Sequence, residues 1–177
     1  MSAIAGSIGA IAASIGVIIA LIYYNKNLKL NRLSNSARMV LDFVNIFNSA
    51  EMRKHRRRFA SLLLEDSSLI DLKTDAPVLE FFEEVAYMTR RGVLDEGMVW
   101  NSFSWWVKRY YLAVKDRIVD ARSEVRSSSL FREVEWLYTR MCLVGNQQEG
   151  TSIYIPPSAN DIRKFFEDES KLDSAQP

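Results

Sequence analysis

Histidine and cysteine are nearly missing from this chain: its 177 residues include one of each, His55 and Cys142. A single cysteine excludes an internal disulfide and any Cys-x-x-Cys site. A single histidine excludes a His-rich zinc or di-iron centre. Glycine and proline are scarce, at 7 and 4, and no proline precedes Pro77. That scarcity favours long helices over a turn-rich β fold. No G-x-S-x-G, Gly-rich phosphate loop, H-E-x-x-H or EF-hand pattern occurs, so no catalytic residue, metal ligand or cofactor is assigned. Lone Cys142 has no nearby histidine in sequence to activate it and reads as a core thiol.

Charge is missing from Ala3–Tyr24 altogether. As a helix this stretch is roughly 33 Å long, enough to cross a hydrocarbon core of about 30 Å. The expectation is therefore an uncleaved membrane anchor with the lipid bilayer as partner. Tyr23 and Tyr24 close it, and Lys26, Lys29 and Arg32 follow. The positive-inside rule then places the N-terminus outside and the rest in the cytoplasm. Small residues recur at four-residue spacing, Ala5, Gly9 and Ala13, then Ala12, Gly16 and Ala20. Such a face lets two membrane helices approach closely.

Beyond the anchor, apolar residues recur at helical spacing. The expected fold is all-α: an N-terminal transmembrane helix followed by a cytoplasmic bundle of about five helices. The expected organisation is an anchor over 1–25, a basic linker over 26–35, a bundle over 36–148, an extension with a short helix over 149–170 and a disordered tail over 171–177. Met39, Val40, Phe43, Val44 and Phe47 mark the first bundle helix. Ser49 caps a second, with Met52, His55, Phe59, Leu62 and Leu63 inward. Thr74-Asp75-Ala76-Pro77 opens a third, striped by Val78, Phe81, Phe82, Val85 and Met88 and stopped by Gly92. Asp95 opens the longest, whose seam runs Val99, Phe103, Trp106, Val107, Tyr110, Val114, Ile118, Ala121. Ser127–Ser129 caps the next, from Leu130 to about Val144. Ser158, with Asp161 three residues on, caps the last, where Phe165 and Phe166 make its apolar contacts.

Charge is unevenly spread. Lys26 to Glu65 carries nine Lys/Arg against three Asp/Glu. Its sharpest cluster is Arg53, Lys54, Arg56, Arg57 and Arg58, expected to fan over the solvent side of the second bundle helix. Anionic lipid headgroups, an acidic protein partner or nucleic acid would each engage such a face, and a solvated face needs no ligand. Glu80, Glu83 and Glu84 lie early on the third helix, with Arg90 and Arg91 late, as the helix dipole favours; their reading is structural. Arg109, Arg117 and Asp116 are placed to pair with that helix. Trp105 lies off the seam of its helix and is the candidate interface aromatic.

The run Leu79-Glu80-Phe81-Phe82-Glu83-Glu84-Val85-Ala86, then Arg91-Gly92-Val93-Leu94-Asp95-Glu96, Val99-Trp100, Phe103, Trp105-Trp106 and Arg109-Tyr110, resembles a prokaryotic family catalogued only as a domain of unknown function. Phe131 to Leu137 fits the same pattern. The likeness spans about Asn35 to Val144. It implies a small helical protein, often with one N-terminal membrane helix, and no activity. The function expected is a membrane-anchored interaction or scaffold module, its partner another protein or a second copy. The alternatives are a small-ligand sensor or enzyme with a pocket inside the bundle, and a nucleic-acid binder.

Overall fold

Asp95 sets the start of the longest buried seam, because its carboxylate accepts the Met98 N–H at 3.0 Å. The computed structural model describes residues 2–72, 74–151 and 153–172, with side chains placed from residue 20 onward except at 149. Among the described residues there are six α-helices: α1 (Ser2–Phe47), α2 (Ala50–Glu65), α3 (Pro77–Arg90), α4 (Glu96–Glu124), α5 (Arg132–Glu149) and α6 (Ala159–Glu169). A 3-10 turn, Ser67–Leu69, follows α2.

The expected anchor is corrected. Among the described residues no helix is long and apolar enough to cross a membrane. The anchor, linker and first bundle helix are replaced by one 46-residue helix, α1. From residue 20 onward, where its side chains are described, α1 carries Lys26, Lys29, Arg32, Arg38 and Asp42, so no long apolar run occurs there. Residues 3–19 of the expected segment lie outside the described side chains, as do Ala5, Gly9, Ala12, Ala13 and Gly16 of the expected packing face; Ala20 is exposed. With the anchor fall the single-pass topology, the assignment of sides, the bilayer as partner and the membrane-anchored scaffold.

Residues 20–35 of α1 are exposed, and the helix meets the bundle through Ser36, Val40, Phe43 and Phe47. This spacing of four, three and four keeps one face inward. The Ser36 hydroxyl accepts the Asp95 N–H at 2.6 Å, tying α1 to the start of α4. Phe47 then serves as a hub, with ring centroids of Phe81, Phe82, Phe103 and Trp106 at 5.2, 5.4, 5.9 and 5.5 Å. Tyr110 forms a second hub with Phe59, Phe82, Phe165 and Phe166 at 5.5, 5.8, 5.7 and 5.1 Å. The α4 seam lies as expected: Val99, Phe103, Val107, Tyr110, Val114, Ile118 and Ala121 are buried, and Trp106 packs against them.

Helix ends depart from expectation at α5. Phe131 sits in the left-handed region with φ 50°, so the helix begins at Arg132 without a side-chain cap. It continues through Gly145 to Gly150, where φ 64° ends it. Gly145 lies against the α4 indole: an added Cβ would stand 3.1 Å from Trp100 Nε1. At α6 the capping box of Ser158 and Asp161 is complete, and Phe165 and Phe166 are buried as expected.

Candidate anion-binding site

Helix α2 begins where the Ser49 hydroxyl accepts the Met52 N–H at 3.2 Å. From that start, 100° steps carry Arg56, Phe59 and Ala60 inward and Lys54, Arg58 and Ser61 outward. The expected five-cation fan is thereby corrected. Arg56 is 4% exposed. Its Nε and Nη2 donate to Glu169 Oε2 and Oε1 at 2.8 and 2.5 Å, and Nη1 donates to the Phe47 carbonyl at 3.3 Å. Tyr110 donates its hydroxyl proton to the same Glu169 Oε2 at 2.8 Å. Burial pulls the Arg56 pKa down, but the bonds and charge of Glu169 outweigh it and hold the guanidinium above its ordinary value. Arg56 is a clasp for α6, and is not available to a ligand.

The remaining cations edge a hollow of about 510 Å³ lined by Lys54, His55, Arg57, Arg58, Ser61, Thr74 and Ser170. None of these lining residues is acidic. Arg57 Nη1 donates to the Leu172 carbonyl at 3.4 Å. Arg58 Nε donates to Asp75 Oδ1 at 2.7 Å; the Arg58 side chain is 68% exposed while Asp75 is buried. That single bond fixes the stem and leaves the two terminal nitrogens outward. The hydroxyls turn their protons away: Ser61 donates to the Arg57 carbonyl, Thr74 to Asp71 Oδ2 and Ser170 to the Glu167 carbonyl. The charge a ligand meets is therefore that of Lys54, Arg57 and Arg58. Arg53, the fifth of the expected set, is half-buried and does not line the hollow.

Lys54 and Arg58 are one helical turn apart, about 6 Å along the axis. Ser61 is legible as a neighbour from its place on the same helix face. Thr74 and Ser170 are not, because only tertiary packing of the loop before α3 and the end of α6 brings them to α2.

Glu83 is half-buried and accepts the Val134 N–H at 2.8 Å, closing the open start of α5. Burial raises its pKa despite the backbone donors of Val134 and Glu133. Glu80 and Glu84 are exposed. Arg109, Arg117 and Asp116 do not reach α3: Arg117 bonds the Ile70 carbonyl and Glu124, Arg109 bonds the Trp105 carbonyl, and Asp116 is exposed. Trp105 is 56% exposed, with the Arg109 guanidinium 3.1 Å from its ring centroid. Burial pushes the Cys142 thiol up, the opposite of activation.

A family model described as a domain of unknown function matches residues 10–141. That match reaches further toward the N-terminus than the motif run that begins near Asn35. No curated protein and no solved structure matches the chain.

Proposed function

We propose that this chain, which belongs to the DUF4760 family (domain of unknown function), is a helical docking domain that binds an acidic face of a partner protein through the Lys54–Arg58 side of α2. One observation carries this reading: a concave site of about 510 Å³ presents Lys54, Arg57 and Arg58 together with no acidic residue in its lining. Exposed ion pairs contribute little singly, about 0.2–1 kcal/mol, so a concave set acting together is what makes the face selective. The 6 Å step from Lys54 to Arg58 suits carboxylates on successive turns of a helix. The net charge of +1 gives no broad field to hold a nucleic-acid duplex.

The test is titration of the full chain with a synthetic alanine-based helical peptide carrying glutamates at i, i+3 and i+4, and with its glutamine counterpart. The glutamate peptide is expected to bind, the glutamine peptide to bind at least about tenfold more weakly, and Lys54→Glu with Arg57→Glu to abolish the difference. Equal affinity for the two peptides, or duplex DNA bound more tightly than either, would sink the reading.

A further inference from the structure

Helix α3 carries a stripe that matches the basic face of α2 position for position. On α2 the stripe is Lys54, Arg57, Arg58 and Ser61, and on α3 it is Glu80, Glu83, Glu84 and Tyr87, with Arg57 and Glu83 half-buried. Both follow the same i, i+3, i+4, i+7 spacing, so both form one ladder along about two turns. Lys54, Arg58 and Ser61 are exposed, as are Glu80, Glu84 and Tyr87. The α3 stripe edges a groove of about 720 Å³ whose wall includes Leu130 and Phe131. Within one molecule the two ladders do not pair: among the described residues Lys54, Glu80 and Glu84 take part in no salt bridge, and Arg58 uses only its Nε, on Asp75.

We infer that the acidic partner of α2 is helix α3 of a second copy of this chain; the inference rests on the acidic-partner reading above. Charge complementarity names the occupant. In a parallel crossing Lys54 faces Glu80, Arg58 faces Glu84, and the Ser61 hydroxyl faces Tyr87. The two surfaces are different, so the contact is heterologous and each copy keeps one unsatisfied end. Assembly therefore continues past the dimer unless the rotation closes a ring.

The experiment is sedimentation velocity on the full chain and on two neutralised variants, Lys54→Gln/Arg58→Gln and Glu80→Gln/Glu84→Gln. Wild type is expected to form assemblies larger than a dimer at about 0.05 M salt and to dissociate at about 1 M, where the Debye length falls to about 3 Å. Each variant alone is expected to associate at least about tenfold more weakly. Mixed together, each supplies the stripe the other lacks, and the mixture is expected to stop at a 1:1 dimer. Variants that assemble like wild type, or a mixture that stays monomeric, overturn the inference. Should losing the Asp75 bond unfold the first variant, Lys54→Gln and Glu80→Gln repeat the test at positions free of salt bridges, with the same ordering of outcomes. A chain that stays monomeric yet binds the glutamate peptide overturns this inference and leaves the acidic-partner reading standing. A chain that does neither overturns both.

Discussion

Arg56 and Glu169, 113 residues apart, meet in a two-pronged ion pair at 2.8 and 2.5 Å with both side chains under a tenth exposed. The pair holds α6 against α2, and Tyr110 joins it from α4. Removing one member leaves the other charge buried and unpaired, which costs about 3–5 kcal/mol. Arg56→Ala or Glu169→Ala is expected to lower stability by that order in urea unfolding. Replacing the set with apolar residues of similar size, Arg56→Met with Glu169→Leu and Tyr110→Phe, is expected to cost less than either single change. A triple variant weaker than the singles would mean that the polar set stabilises α6 beyond what packing provides.

Gly145 lies inside α5, where alanine ordinarily gains about 1 kcal/mol in helix propensity. Here the new Cβ would meet Trp100 Nε1 at 3.1 Å and Lys108 Nζ at 3.4 Å. The lysine end can swing away, but Trp100 Nε1 is buried and the ring packs against the core, so the whole indole must shift. Overpacking of this kind costs about 1–3 kcal/mol, so it outweighs the propensity gain. Gly145→Ala is expected to destabilise by about 1 kcal/mol. Combining it with Trp100→Leu should recover that loss relative to Trp100→Leu alone, in a double-mutant cycle on thermal unfolding.

Arg126 offers the opposite outcome. It is exposed, with φ 51° in the left-handed region, where a side chain is strained and glycine is not. Arg126→Gly is expected to stabilise by about 1 kcal/mol, a rise in Tm of about 2–4 °C for a chain of this size. Phe131 has nearly the same backbone, φ 50°, but its ring is buried. Phe131→Gly trades a similar relief for the loss of a buried ring worth about 3–5 kcal/mol, and is expected to destabilise. Calorimetry of the two variants separates backbone strain from ring burial, because the shifts must have opposite signs.

These residues also separate what local sequence specifies from what tertiary packing supplies. The α4 seam, the Gly92 stop and the Ser158 cap are local: periodicity and cap chemistry define them within a few residues. Arg56 was legible in position but not in character. Met52, Arg56, Phe59 and Leu63 share one face at spacings of four, three and four, yet an arginine within a run of cations reads as solvent-facing. What reverses that reading is Glu169, far along the chain, and no local pattern announces it. Phe131 hides for a different reason: nothing in a phenylalanine predicts a left-handed backbone, so periodicity alone starts α5 at Leu130 rather than at Arg132. The uncharged run at Ala3–Tyr24 read as a separate element because hydropathy marks a boundary at Lys26 that the helical backbone does not respect. In the candidate site, the cations on α2 were visible from spacing, while Thr74 and Ser170 arrive only through packing.

Stability at high and low pH should follow one buried and one half-buried group with the same sign. The Tyr110 pKa is raised well above 10, first by burial and then by the Glu169 carboxylate, against the opposing charge of Arg56. Its stabilising contribution is thus complete below about pH 10, the unfolded value, and is lost as pH rises from there through the folded value. Tyr110→Phe gives up the hydroxyl bond, about 1 kcal/mol at neutral pH. Its stability should nevertheless fall less than wild type between about pH 9 and pH 11. The flattening is partial, since burial also raises Tyr138, to about 12. Glu83 is likewise raised by burial, so its ionised form is the disfavoured one in the folded chain. Its contribution is complete below the ordinary glutamate value of about 4.3 and is lost as pH rises through the folded value. Glu83→Gln keeps an oxygen to accept the Val134 N–H and carries no charge at any pH. Urea midpoints should therefore show the variant gaining on wild type as pH rises from about 4 to 7. A variant that instead loses ground over that range would show that the ionised carboxylate, held by the start of α5, is the favoured form.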